Sequence, residues 1–325
     1  MMDQELISII VSVYNSDTTL ARCLRSLERQ TYQNIEILLI DDASTDQSRD
    51  ICRKWSEKDK RFRLFTAETN KGVAGARNIG LDHFSGKYLM FADADDIVAD
   101  NYVERLYEVL IKSGCNIATC IANDSEDIYP DDYTFKCETK TEPRLIAIED
   151  YDFMRIWSHR VVWGALFRRE IIGGLKFRDQ YQTSTDTLFI AELFKGEKQI
   201  VHIDEPLYIY ISNPASVTHR NYDWKRYCNV KVWKEIAHRI FSDGPEMPRQ
   251  SAEMQAIAYS IRGLREMEAQ YSDDDVLRKE LLSNIKGKLP LLFSLDRIPF
   301  TERLRPIMIS LFPHLFLLRQ RAKRS

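Results

Sequence analysis

Residues 88–96 read YLMFADADD, five apolar or aromatic side chains followed by carboxylates at Asp93, Asp95 and Asp96. An uncharged run of that kind predicts a strand buried on both faces. Acids clustered at its end are costly. Two carboxylates about 4 Å apart repel by roughly 4 kcal/mol at an effective dielectric of 20. A hard divalent cation with oxygen ligands is the usual compensation. The competing reading is a helix N-terminus, with Asp95 or Asp96 as its cap.

Strand and helix alternate through the first 120 residues. Residues 6–14 are apolar and β-branched, then Leu20, Cys23, Leu24 and Leu27 form one helical stripe. A second strand, 35–40, ends at Asp41 and Asp42. Ile51, Cys52 and Trp55 mark a helix, 62–65 a short strand, 72–84 a helix opened by small residues, and 88–92 the next strand. A helix at 101–112 and a strand at 116–121 follow. Short connections in this order predict a parallel sheet covered by helices. Ligands of such sheets bind beyond the carboxyl ends of the strands. Tyr14 with Asn15, Asp41 with Asp42, and Asp93 with Asp95 are the polar groups expected there.

The turn after the first strand carries no glycine fingerprint, and no Walker A sequence occurs, so backbone amides are not expected to cradle a pyrophosphate. A nucleotide diphosphate would need a bridging metal at the acids and a basic partner. Lys71 and Arg77, flanking Gly72, Ala74, Gly75 and Ala76, are the candidates for that partner.

Further on, 124–132 is acidic and turn-rich, a predicted surface loop. Residues 187–194 read as helix, placing Asp186 at its N-terminus. Residues 200–203 and 207–211 read as two strands flanking Pro206, and beyond Trp224 the pattern is helical. Trp233, Ile236 and Ile240 share one helix face; Met254, Ile257 and Ile261 share another.

Four stretches in order resemble a family-2 glycosyltransferase. They are Val11-Ser12-Val13-Tyr14-Asn15; Ile40-Asp41-Asp42-Ala43-Ser44-Thr45-Asp46; Asn70-Lys71-Gly72 through Ala76-Arg77-Asn78-Ile79-Gly80; and Phe91-Ala92-Asp93-Ala94-Asp95-Asp96. A fifth, Thr185-Asp186-Thr187-Leu188-Phe189, is similar to the segment where such enzymes place their base. The resemblance implies a GT-A (Rossmann-like) α/β fold, a mostly parallel sheet covered by helices, with a C-terminal helical extension. It implies a nucleotide-sugar donor, with the base near Val13, Tyr14 and Asn15 and accepted by Asp42, with Asp41 beside it. Lys71, Gly72 and Arg77 would line the nucleotide, Asp93 and Ala94 would contact the donor, and Asp93 and Asp95 would hold Mn²⁺ or Mg²⁺ on the diphosphate. Asp186 would be the catalytic base of an inverting transfer. Two positions depart from the pattern. Ala43 stands where glycine is usual, a mild change if the turn avoids positive φ, and Thr185 stands where an acid is common.

The domain expectation is a glycosyltransferase domain over 1–220 and a helical region over 221–325. A UDP-linked hexose or N-acetylhexosamine is the expected donor, and a saccharide or lipid-linked saccharide of surface-polysaccharide synthesis the expected acceptor. Two other readings compete. An apolar strand ending in DxD also marks aspartate-nucleophile phosphohydrolases, although there on the first strand. A non-catalytic sugar-nucleotide or glycan-binding module is the other.

Composition narrows the partners. The chain carries −3 overall, yet residues 303–325 hold six Lys or Arg and no acid. An acidic body argues against nucleic acid. The basic tail, with Phe312, Phe316 and a leucine cluster, is expected either to touch an anionic membrane face or to pack on the body. Six cysteines without CxxC spacing, and histidines without metal spacing, predict free thiols in a reducing compartment. No run approaches the ~20 apolar residues of a membrane span and no signal peptide is read at the start, so a cytoplasmic place is expected, with the inner membrane face as an extension.

Overall fold

The computed structural model describes residues 5–152, 160–181, 183–212, 227–269 and 274–286, with 288, 290, 304, 307 and 308. The basic tail lies outside the described residues except at the last three of these positions. The chain divides into two compact units. One comprises Met1–Ile148, Ile156–Gln180 and Thr185–His219; the other comprises Glu149–Arg155, Tyr181–Ser184 and Arg220–Ser325.

The first unit is built on strands β1 (Ile7–Val13), β2 (Ile35–Asp41), β3 (Phe62–Thr66) and β4 (Tyr88–Asp93), all parallel. Helices α1 (Leu20–Glu28), α2 (Ser48–Lys58) and α3 (Gly72–His83) connect them. Every residue of β2 is buried, as a strand covered on both faces requires. On one face Ile7, Ile9, Val11 and Val13 join Leu20, Cys23, Leu24 and Leu27 of α1 in a single core. On the other, Ile10 sits so close to α3 that a Cβ on Gly80 would lie 2.6 Å from its Cγ2. A side chain there would push α3 off the sheet.

Beyond β4 the sheet is mixed. Helix α4 (Tyr102–Ser113) leads to β6 (Ile117–Ser125), but β6 is not the neighbour of β4. Strand β8 (Ala165–Arg168) is inserted between them, antiparallel to both. The expectation of one continuous parallel sheet over the first 120 residues is corrected accordingly. The two strands predicted around Pro206 are one strand, β9 (Gln199–Ile211), parallel to β6. Its register with β6 slips between Cys120 and Ala122, where Pro206 sits opposite Ile121. A bulge there accommodates a residue that cannot donate to the ladder. Strands β5 (Ile97–Val98) and β7 (Arg144–Ala147) pair with opposite halves of β9. β6 also runs on through Asn123 to Ser125, into the stretch read as loop. Helices α5 (Arg169–Ile172) and α6 (Thr185–Lys195) complete the unit.

The secondary structure of the second unit is helical among its described residues from 227 onward. It contains α7 (Tyr227–Glu235), which passes into a π-helical turn at Ile236–Ile240, then α8 (Glu246–Ala269) and α9 (Asp275–Ile285). Trp233, Ile236 and Ile240, and Met254, Ile257 and Ile261, are buried as their spacing predicts. Asp274 caps α9 by accepting from the Leu277 N–H at 2.9 Å. No described helix is long and apolar enough to cross a membrane.

Candidate active site

The strand registers assemble the site. Val13 pairs with Asp41, and Ser12 with Asp93, so the ends of β1, β2 and β4 form one edge. Strand β1 lies between β2 and β4 in the sheet, so the chain order reverses about it, as at a ligand-binding switch point.

The loops after β1 and β2 are laced together. Asn15 Oδ1 accepts from the Thr45 N–H at 2.9 Å, and the Asn15 N–H donates to Ser44 Oγ at 3.1 Å. The Asp42 N–H donates to the Val13 carbonyl, so Val13 takes part through its backbone while its side chain is buried. Closing both loops in this space puts Asn15 at φ 47° and Ala43 at φ 58°. Asn tolerates the left-handed region; alanine does not. The condition under which alanine would be a mild change at position 43 is therefore not met. Tyr14 stands 48% exposed above the edge.

The two acids after β2 have different surroundings. Asp41, fully buried, accepts from Arg49 Nε at 2.7 Å and from the Ser44 N–H. Asp42 Oδ1 accepts from the Lys71 N–H at 2.8 Å, and burial holds its carboxyl above the usual range. Lys71 thus meets Asp42 through its backbone, and its side chain is exposed. Gly72 takes φ +71° to start α3, a conformation glycine adopts without strain.

Arg77 is no solvated helix residue. Its side chain is 3% exposed, and its guanidinium donates to Asp93 Oδ1 at 2.8 Å and to Asp186. Phe177 and Phe91 lie under it, 5.5 and 6.0 Å away. Burial works against its charge, but Asp186 and Asp93 outweigh this and raise its pKa. Asp186, in the first turn of α6, also faces the Val162 N–H.

The turn that follows β4 is held from behind by α1. Cys23 Sγ, Thr19 Oγ1 and Arg22 Nη2 donate to the carbonyls of Asp93, Ala94 and Asp95 in turn. Burial first, and the Asp93 charge second, raise the Asp95 carboxyl to about 6. Asp93 is raised too, by burial, against the opposing pull of Arg77. Asp96 neither caps a helix nor joins the edge. It is buried, accepting from the Tyr208 hydroxyl at 2.6 Å and the Ile211 N–H at 2.9 Å.

Asp42, Arg77, Asp93, Asp95 and Asp186 are thus parts of one assembly at the carboxyl edge. The sequence reading missed Arg49, the α1 donors, Val162 and Tyr208. Thr19, Arg22 and Cys23 at i, i+3 and i+4 share a helix face, a signal that was present in the sequence.

Among the described residues no cluster of three or more His, Cys, Asp or Glu is gathered for a metal ion. The donor set nonetheless suits a hard dication that takes its other ligands from phosphates, for which one or two carboxylates suffice. Asp95 is a partly buried carboxylate with no ion pair or hydrogen bond from another residue's side chain or backbone among the described residues.

Comparison with known proteins bears on the family and the fold. A profile described as glycosyl transferase family 2 matches residues 8–174. Glycosyltransferase GlyG of Streptococcus pneumoniae serotype 4 is 44% identical over 233 residues, 68% of this chain and 76% of that protein. GlyA of the same organism is 32% identical over 229 residues, 67% of this chain but 32% of GlyA, so the match spans only a third of that relative. An Escherichia coli UDP-Glc:α-D-GlcNAc-diphosphoundecaprenol β-1,3-glucosyltransferase, WfgD, is 40% identical over 112 residues, 34% of this chain and 44% of WfgD. Staphylococcus aureus TarS, solved with UDP-GlcNAc, superposes with TM-score 0.63 at 16% identity, covering 86% of this chain and 79% of that one. A Pyrobaculum calidifontis mannosyltransferase, solved with GDP-Man and Mn²⁺, superposes with TM-score 0.56 at 17% identity, covering 96% and 89%. At such identities the structures bear on the fold, which is that of GT-A glycosyltransferases.

Proposed function

This chain belongs to glycosyl transferase family 2, and from that premise we propose that it transfers a sugar with inversion from a nucleotide donor to a hydroxyl acceptor. The donor is a UDP-linked hexose or N-acetylhexosamine, and the acceptor a saccharide or lipid-linked saccharide of surface-polysaccharide synthesis. One observation carries the proposal: Arg77 joins Asp93 at the end of β4 to Asp186, 109 positions further along than Arg77, in a single ion-paired unit.

In this reading Asp42 accepts from the edge of the uracil, and Tyr14 and Asn15 flank the base. Asp93 and Asp95 hold Mn²⁺ or Mg²⁺, which when bound supplies positive charge to the departing diphosphate. Asp186 takes the proton from the acceptor hydroxyl. The oxygen's electron pair forms the new bond to the anomeric carbon as the bond to the diphosphate oxygen breaks. Arg77 fixes the distance between base and donor carboxylate, which is what an in-line displacement requires. A phosphohydrolase mechanism would free Asp93 as nucleophile, whereas Arg77 holds it.

The setting proposed is the cytoplasmic face of a membrane. WfgD acts on a diphosphoundecaprenol-linked sugar by its name, and residues 303–325 bring the positive charge such a surface attracts. A chain truncated before residue 300 is expected to lose co-sedimentation with anionic liposomes; equal sedimentation would remove the tail from the proposal.

The test of activity is a hydrolysis and transfer screen of nucleotide sugars with and without Mn²⁺. A UDP-sugar is expected to respond only with metal. Asp186→Asn is expected to bind donor as the parent does and to lose transfer. Equal turnover in excess chelator, or retained transfer in the variant, would refute the assignments.

A further inference from the structure

Tyr208 lies on β9, fully buried, and its hydroxyl has two partners in the donor turn. It accepts from the Asp93 N–H at 3.2 Å and donates to Asp96 Oδ2 at 2.6 Å. The other Asp96 oxygen takes the Ile211 N–H at 2.9 Å, again from β9. The Asp96 N–H returns to the Asp93 carbonyl at 3.2 Å, closing the turn. Asp96 has no Lys or Arg partner among the described residues. The turn is therefore gripped on two sides: its carbonyls by α1, and its first N–H and last carboxylate by β9.

Resting on the proposed donor site, we propose that Tyr208 is a positioning residue whose hydroxyl, locked to Asp96, fixes the turn that presents Asp93 and Asp95. The aromatic ring alone does not require the hydroxyl. It stacks on Trp163 at 4.8 Å and 12°, and meets Tyr102 at 6.0 Å, contacts a phenylalanine would keep. Only the oxygen reaches the turn. Trp163 also adjoins Val162, whose N–H faces Asp186. Tyr208 thus links the donor carboxylates to the segment beside the candidate base. A group that orients metal-binding carboxylates without touching the ion loses affinity when removed, not only stability.

The test is calorimetric titration of the full chain with Mn²⁺ and UDP, beside thermal unfolding of the same samples. Tyr208→Phe is expected to weaken metal-dependent UDP binding by about 10- to 100-fold. Tyr102→Phe is the control. It too deletes a fully buried hydroxyl, one that accepts from the Gly164 N–H at 3.0 Å, but it leaves the turn untouched. Its affinity is expected to match the parent's. Asp96→Ala should reproduce the Tyr208→Phe loss, Asp96→Asn should recover most of it, and the Tyr208→Phe/Asp96→Ala double variant should lose little more than either single variant. Parent-like affinity in Tyr208→Phe, or equal losses in Tyr208→Phe and Tyr102→Phe, overturns the inference. Should Tyr208→Phe fail to fold, the pair Asp96→Asn and Asp96→Ala decides, with parent-like affinity in both the refuting result. If the parent chain itself binds no UDP with Mn²⁺, the donor-site reading falls, and this inference with it.

Discussion

Asp95 is a carboxylate kept in place at a cost to the fold, and that cost is measurable. Its carboxyl is raised from 3.8 to about 6 by burial and by Asp93. The native state therefore binds the proton more tightly than the unfolded chain. Stability falls as pH rises from about 4 to about 6 and is level above. A rise from 3.8 to about 6 corresponds to about 3 kcal/mol. Asp95→Asn removes the penalty while keeping the shape. In chelator at pH 8 the variant should be more stable than the parent by up to about 3 kcal/mol. The advantage should shrink through pH 5 and vanish below about pH 3, where the Asp95 carboxyl is protonated both folded and unfolded. Urea unfolding at three pH values reads this directly, provided the slopes of the two proteins agree. Adding Mn²⁺ with UDP should stabilise the parent and not the variant, reversing their order. If Asp95→Asn is no more stable than the parent at pH 8, the carboxylate is not an uncompensated charge, and the case for a cation at this position loses its physical basis.

Arg77→Met keeps the stem over Phe177 and removes the guanidinium. It should cost about 3 kcal/mol at pH 8, as for breaking a buried ion pair, and less at pH 5. Asp93, already raised and freed of the lowering influence of Arg77, would then take up a proton, and urea unfolding at both pH values checks it. Ala43→Gly relieves the φ of 58° and should stabilise by about 0.5–1 kcal/mol with donor affinity unchanged. Destabilisation would mean the turn is not strained. Cys228 is half-buried while the other five cysteines are buried, so it should react first with a maleimide; burial also raises the thiols of Cys23, Cys52, Cys120 and Cys137.

The first half of the sheet was legible because its strands are uniformly apolar and its helices carry single stripes. Those patterns report burial on two faces or on one, which is all periodicity can report. Strand β8 was not legible. Four residues, Ala165–Arg168, carry too little pattern to show that they enter between β4 and β6 or that they run antiparallel. Pro206 misled for a local reason: it breaks a ladder bond, and the sequence does not show that a register slip absorbs the break. At the site, the residue types at strand ends were readable, while the pairing of Arg77 with Asp186 needed the tertiary fold to bring α3 and α6 together. The backbone angle of Ala43 follows from the lacing of two loops, which no single segment contains.

The charges at the edge are unevenly matched. Asp41 has Arg49, and Asp93 and Asp186 share Arg77. Asp42 is satisfied by the Lys71 amide and Asp96 by Tyr208 and Ile211. Each of these edge acids but Asp95 has therefore found a donor inside the protein, and Asp95 sits beside the acid whose single cation is divided between two. A dication arriving at Asp93 and Asp95 would weaken the hold of Arg77 on Asp93 and leave the guanidinium more fully to Asp186. With donor present, a guanidinium committed to Asp186 fixes the direction of that candidate base, so its contribution comes chiefly from placement. That ordering is checkable: Arg77→Lys keeps a positive charge but not the two-pronged reach to Asp93 and Asp186, and it should lower the transfer rate at saturating donor and Mn²⁺. A parent-like rate would show that Arg77 does not position Asp186.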